Sequence, residues 1–95
     1  MSELYPEVIQ GWVSQENIDN ANWQSIDKCG IALALKDFYS LKNINPAIDV
    51  RFNRFYIYNH KYIINTVASK IITKACNGFM HRPEKPFWFR AVRET

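Results

Sequence analysis

The chain is poor in the residues that usually announce chemistry. Of 95 residues only three are glycine, Gly11, Gly30 and Gly78, and they stand far apart. A phosphate-cradling loop needs clustered glycines whose backbone can close around the ligand, so that type of nucleotide site is excluded. Cysteine occurs twice, at Cys29 and Cys76. Two thiols make no disulfide framework, which points to a reducing, cytoplasmic setting. Histidine also occurs twice, at His60 and His81. Structural zinc is held by ligands in close pairs, and here neither the cysteines nor the histidines are close to each other. No metal and no cofactor are expected.

Long apolar runs are missing as well. The longest is Ile31 to Leu35, whereas a membrane-spanning helix needs about 20 apolar residues. Met1-Ser2-Glu3-Leu4 has neither the basic start nor the apolar core of a secretory signal. No membrane association is expected. Catalytic signals are equally thin. Nothing in the sequence activates Cys29 or Cys76 as a nucleophile. Asp49-Val50-Arg51 has the acid-x-base order of some metal-dependent nuclease strands, but it lacks a second acid, and Arg cannot exchange protons as Lys does. The chain is expected not to be an enzyme.

Acidic residues are scarce in one half only. Residues 1–49 carry seven acids against three bases, and residues 50–95 carry nine bases against two acids. Such asymmetry implies an acidic partner for the C-terminal half, or docking of one half on the other. What is abundant is aromatic: 15% of the residues are Phe, Trp or Tyr. The densest cluster is Arg51–Ile64, RFNRFYIYNHKYII, with Arg51, Arg54 and Lys61 threaded through it.

The expected fold class is α+β, one small domain over residues 1–95. It has two N-terminal helices, a β-hairpin, a third helix and an extended C-terminal tail or strand; an all-α fold is the alternative. Tyr5, Val8, Ile9, Trp12 and Val13 fall at helical spacing, and Pro6 suits a first helical turn. Residues 14–22 read as a polar connection with one short helical turn capped by Ser14. The wide apolar arc of Ile26, Ile31, Leu33, Leu35, Phe38 and Leu41 predicts a covered helix over residues 23–42, ended before Pro46.

From Ile48 the period becomes two, which predicts strands. A hairpin pairs roughly residues 49–58 with 61–65, turning at Asn59-His60, with Phe52, Phe55, Ile57 and Ile63 on its core side. A single helix from Phe52 to Cys76 is the competing pattern. Asn65 is placed to start a helix carrying Val67, Ala68, Ile71, Ile72 and Ala75, stopped by Asn77-Gly78. The tail FMHRPEKPFWFRAVRET is too apolar at Phe87, Trp88 and Phe89 to hang free.

The candidate binding residues are Arg51, Arg54, Tyr56, Tyr58, Lys61, Arg82, Trp88 and Arg90. Rings supply sequence-tolerant stacking and cations supply salt-dependent attraction, which is the pairing a nucleic-acid groove needs. The first reading is a DNA- or RNA-binding accessory or regulatory factor. The alternative is a modulator or inhibitor, of the phage or mobile-element type, that grips an acidic surface of a host nuclease or other host enzyme. Trp and Arg dominate the energetics of protein interfaces, so the same residues serve that reading. The chain is a monomer, or a homodimer through its exposed rings.

Overall fold

The first element is a strand where helical spacing suggested a helix. The computed structural model describes residues 5–77 and 83–94. In it Val8–Val13 forms β1, paired in register with a C-terminal strand from Val8↔Val92 to Val13↔Phe87. Three of its six residues are β-branched, and Gly11 lowers helix propensity by about 1 kcal/mol relative to Ala. A helix this short is marginal in water. The strand instead gains six cross-strand pairs, each worth up to about 1 kcal/mol.

Ser14 caps α1, Gln15–Asn20. Its hydroxyl accepts from the Asn17 N–H, and the Asn17 side chain accepts from the Ser14 N–H, both at 3.1 Å. Asn17 is buried, and its amide donates to Asp37 at 3.0 Å, tying this turn to the next helix. That helix, α2, runs Gly30–Ser40, shorter than the expected 23–42. Polar side chains capture the preceding backbone. The Gln24 N–H donates to the Asn22 side chain, and the Asn22 N–H donates to the Lys28 carbonyl at 2.9 Å. These local bonds compete with helix formation. Trp23 is buried over Gly30, where any Cβ would collide with the indole.

Beyond α2, Asn43 takes a left-handed φ of 59° and the chain enters β2, Ile48–Val50. Strand β3, Arg54–Ile57, turns through Tyr58 and Asn59 into β4, His60–Ile64. The turn therefore sits one residue earlier than Asn59-His60. Tyr58 takes a φ of 56°, costly for a residue with a Cβ. Its N–H donates to the Ala47 carbonyl at 2.9 Å, and its ring meets Tyr5 edge-on.

Helix α3, Thr66–Cys76, follows, and residues Phe87–Arg93 form β5. Asn65 stands at the N-cap of α3, but its side chain caps nothing there. It accepts from the Arg90 N–H at 2.8 Å, while the Asn65 N–H donates to the Arg90 carbonyl at 2.8 Å. The expected stop at Gly78 lies outside the described residues.

The strands form one antiparallel sheet in the order β1-β5-β4-β3-β2. The sheet removes the all-α alternative. Helix α2 packs against both β1 and β2, the two edges, so the sheet curls around it. Ile9, Val13, Phe89, Ala91, Tyr62, Ile64, Phe55, Ile57, Ile48 and Val50 share the inner face and meet Ile31, Leu35, Tyr39, Ala68 and Ile72 from the helices. Phe55 and Tyr62 stack at 5.0 Å with Phe89 edge-on, a ring cluster at the centre of the core. Phe52 and Ile63 were expected on this inner side. Phe52 lies in the β2–β3 loop and Ile63 alternates to the other face, leaving both exposed.

Candidate functional site

With every buried strand residue facing the helices, alternation puts the other set on a face that no helix covers. Register fixes its layout. One row crosses Val8, Val92, Ile63 and Arg54 on β1, β5, β4 and β3. A second row holds Gln10 and Arg90, and a third holds Trp12 and Trp88. On the opposite flank Asp49, Tyr56 and Lys61 lie abreast.

Five large apolar side chains of this face remain exposed: Trp88 at 57%, Trp12 at 46%, Val92 at 42%, Val8 at 40% and Ile63 at 37%. The two indoles sit 4.9 Å apart, tilted by 52°. Exposed rings and aliphatic side chains gathered on one uncovered face, here with the Gln10–Arg90 row between them, mark a candidate interaction site.

The candidate residues separate when placed on the fold. Arg54, Tyr56, Lys61, Trp88 and Arg90 all belong to the open face. The Arg54 Nε donates to the Tyr56 hydroxyl at 3.3 Å and its Nη1 to the Asn53 side chain at 3.1 Å, which braces the guanidinium flat along the strand. Lys61 pairs with Glu94 at 3.1 Å. Arg51 lies beyond the end of β2 and is held by Asp49: its Nη2 donates at 3.0 Å to one carboxylate oxygen while its Nε makes an ion contact at 2.8 Å with the other. Tyr58 belongs to the turn and packs toward Tyr5, which stacks on His60 at 4.0 Å. Arg82 lies outside the described residues. Arg93, which adds to the basic count of this half, alternates inward, where its Nη1 donates to the Tyr5 carbonyl at 2.6 Å.

Among the described residues, the positive half therefore puts no continuous cationic stripe on the open face. Two of its cations are ion-paired and one is turned inward. Arg54, at the end of the apolar row, and Arg90, in the row beside it, carry the remaining charge of the open face.

Val8, Trp12 and Val92 were not among the candidate residues. Helical spacing groups Val8 and Trp12 with Ile9 and Val13 on one apolar face. As a strand, Val8 and Trp12 point opposite to Ile9 and Val13. Both faces of this strand are apolar, so its alternation carries no polar signal.

Elsewhere a cavity of about 230 Å³ opens between the loop before α2, the β2–β3 loop and α3. Trp23, Cys29, Phe52, Ile72 and Cys76 line it. Burial pushes the Cys29 thiol above its ordinary pKa, with backbone amides of Ala32 and Ile31 pulling weakly the other way. A thiol held protonated is a poor nucleophile and a poor metal ligand. Among the described residues no three of His, Cys, Asp and Glu gather as metal ligands. Among them, too, no helix is long and apolar enough to cross a membrane.

No protein-family model, curated protein or solved structure matches the chain.

Proposed function

We propose that the protein is a non-catalytic recognition module that docks another protein on the open sheet face. One observation carries this reading: an apolar row, Val8–Val92–Ile63, ended by Arg54, with the Gln10–Arg90 row and then the exposed Trp12–Trp88 pair beside it, on a face without helices. Interfaces of this composition place rings and aliphatic groups at the centre, where they exclude water, with guanidinium groups at the rim. The fitting partner carries an apolar patch bordered by carboxylates, which Arg54 and Arg90 grip by forked bonds. A small chain that occupies such a surface on a larger enzyme acts as a modulator or inhibitor of it.

A second reading rests on Arg54, Tyr56, Trp88 and Arg90 sharing one sheet face. Single-stranded nucleic acids lie across such faces, bases on rings and phosphates on cations. The pairing of Lys61 with Glu94 and of Arg51 with Asp49 weakens that reading, because among the described residues of the open face it leaves Arg54 and Arg90 as the cations outside ion pairs.

The deciding experiment uses the full chain and two kinds of partner. Affinity capture followed by purification of the complex tests for a stoichiometric protein partner, with Trp88→Ala and Arg90→Ala as probes. In parallel, binding to single-stranded oligonucleotides is measured at two salt concentrations. A complex weakened tenfold or more by Trp88→Ala supports the protein reading. Oligonucleotide binding that falls steeply with salt and depends on Arg54 and Arg90 overturns it in favour of nucleic acid.

A further inference from the structure

The two edges of the sheet are treated differently. At β2 the outward N–H of Val50 donates to the Ile26 carbonyl at 2.7 Å, and the strand is only three residues long. That edge is short and plugged, two common protections against strand addition. At β1 the edge is six residues long and carries neither protection.

The direction of its backbone groups follows from printed bonds. The Arg93 N–H donates to the Glu7 carbonyl at 2.7 Å, so Glu7 and Arg93 form a hydrogen-bonded pair of the β1–β5 ladder. Hydrogen-bonded pairs recur at every second residue of an antiparallel ladder. Ile9, Gly11 and Val13 therefore bond to β5, and the backbone groups of Val8, Gln10 and Trp12 point away from it. Among the described residues none of those outward groups has a backbone partner. Backbone groups left unpaired by the protein face water. The strand also has no charge, no proline and no bulge, the other devices that blunt an edge.

We infer that β1 pairs antiparallel with β1 of a second copy, about a two-fold axis at Gln10, to give a continuous ten-stranded sheet. The outward set is self-complementary about that axis. Gln10 meets the partner copy's Gln10, and Val8 meets the partner copy's Trp12, so every facing pair is neutral. All three pairs fall at hydrogen-bonding positions of the new ladder. The same register sets Ile9 opposite the small Gly11 of the other copy on the inner side. The two Arg90 side chains, one strand further in on each copy, stand three strand spacings apart, about 14 Å. That exceeds the screening length of about 8–10 Å at ordinary salt, so their repulsion is weak. Such an interface is isologous and closes at two copies.

This pairing does not rest on the proposed function, since it is argued from the backbone edge of β1, although Val8, Gln10 and Trp12 also border the open face. The test is sedimentation equilibrium of the full chain over roughly micromolar to millimolar concentration, with Gln10→Lys and Gln10→Glu. Gln10 is exposed, so both variants are expected to stay folded, with Gln10→Lys the less stable because it faces Arg90 within its own sheet. The expected result is a wild-type dimer, about tenfold or more weaker association of each variant alone, and recovery when the two are mixed, because opposite charges then meet at the axis. Amides of Val8, Gln10 and Trp12 gain exchange protection as concentration rises. A wild type that stays monomeric, or a dimer untouched by Gln10→Lys, overturns the pairing. Either outcome leaves Trp88-dependent capture of a different protein intact as a separate result.

Discussion

The ring of Phe89 occupies the space that a Cβ at Gly11 would need. The two residues face each other across the β1–β5 ladder, and Phe89 is buried at 1% exposure. The absence of a side chain at Gly11 is what lets a large ring enter the core beneath β1. It also explains a glycine in the middle of a strand, where it is otherwise unfavourable.

Gly11→Ala is therefore expected to destabilise the fold by about 1–3 kcal/mol, the usual cost of overpacking. Urea denaturation reads this directly. Adding Phe89→Leu to Gly11→Ala should cost less than the sum of the two single changes, because the smaller side chain relieves the collision. Strict additivity would show that the ring is not the obstacle.

Asn65 joins α3 to β5 by two bonds to the backbone of Arg90. Asn65→Ala removes the side-chain acceptor and leaves the Arg90 N–H without it. The expected loss is about 1–2 kcal/mol. Hydrogen exchange should show the Arg90 amide losing protection before its neighbours in β5. Unchanged protection there would show that this bond does not hold β5 to the start of α3.

Burial pushes the Tyr39 phenol up to about 12, with Tyr62 and Tyr5 adding in the same direction, and burial raises Tyr62 as well. A tyrosine in the unfolded chain ionises near pH ~10. Above that the unfolded state has lost the proton that the folded state still holds, so stability falls as pH rises. The contribution is complete below about pH 10 and is lost progressively toward the folded value of about 12. Tyr39→Phe should flatten this part of the urea-midpoint curve relative to wild type. Equal slopes for the two proteins would remove Tyr39 as a cause.

Trp88 is exposed on the open face and contacts Trp12. Trp88→Ala should cost less than about 1.5 kcal/mol, the worth of one exposed aromatic pair. Its effect on capture of a protein partner should be far larger, at least tenfold in affinity. A variant that unfolds, or that binds as tightly as wild type, counts against the open face as the docking surface.

Much of the local architecture was legible because it rests on local bonds. Ser14 announced a helical turn and caps α1. The change of period at Ile48 announced a strand over about residues 49–58, which the structure splits into β2 and β3, paired with each other across residues 51–53. The Asn65 start and apolar stripe of α3 were equally clear, although Val67 proved exposed. The loop before α2 was not legible. Residues 22–28 are apolar enough at Trp23 and Ile26 to continue a helix, and what stops them is hydrogen bonding by Asn22 and Ser25. Half of the candidate surface was legible too: Arg54, Tyr56 and Lys61 alternate with Phe55 and Ile57, so one strand pattern separates them. The joining of Trp88 and Arg90 to Trp12 was not.

The sequence by itself determined the α3 helix, the capped turn at Ser14, the alternation around Phe55 and the uneven charge of the two halves. A helix closes its hydrogen bonds within four residues, so its signals lie inside the segment. Only the tertiary structure decided that Val8–Val13 is a strand and that Val8, Trp12, Trp88 and Arg90 share one surface. The partners of β1 lie in Phe87–Val92, at the other end of the chain. A strand takes its identity from the segment it bonds to, and no pattern within its own six residues names that segment.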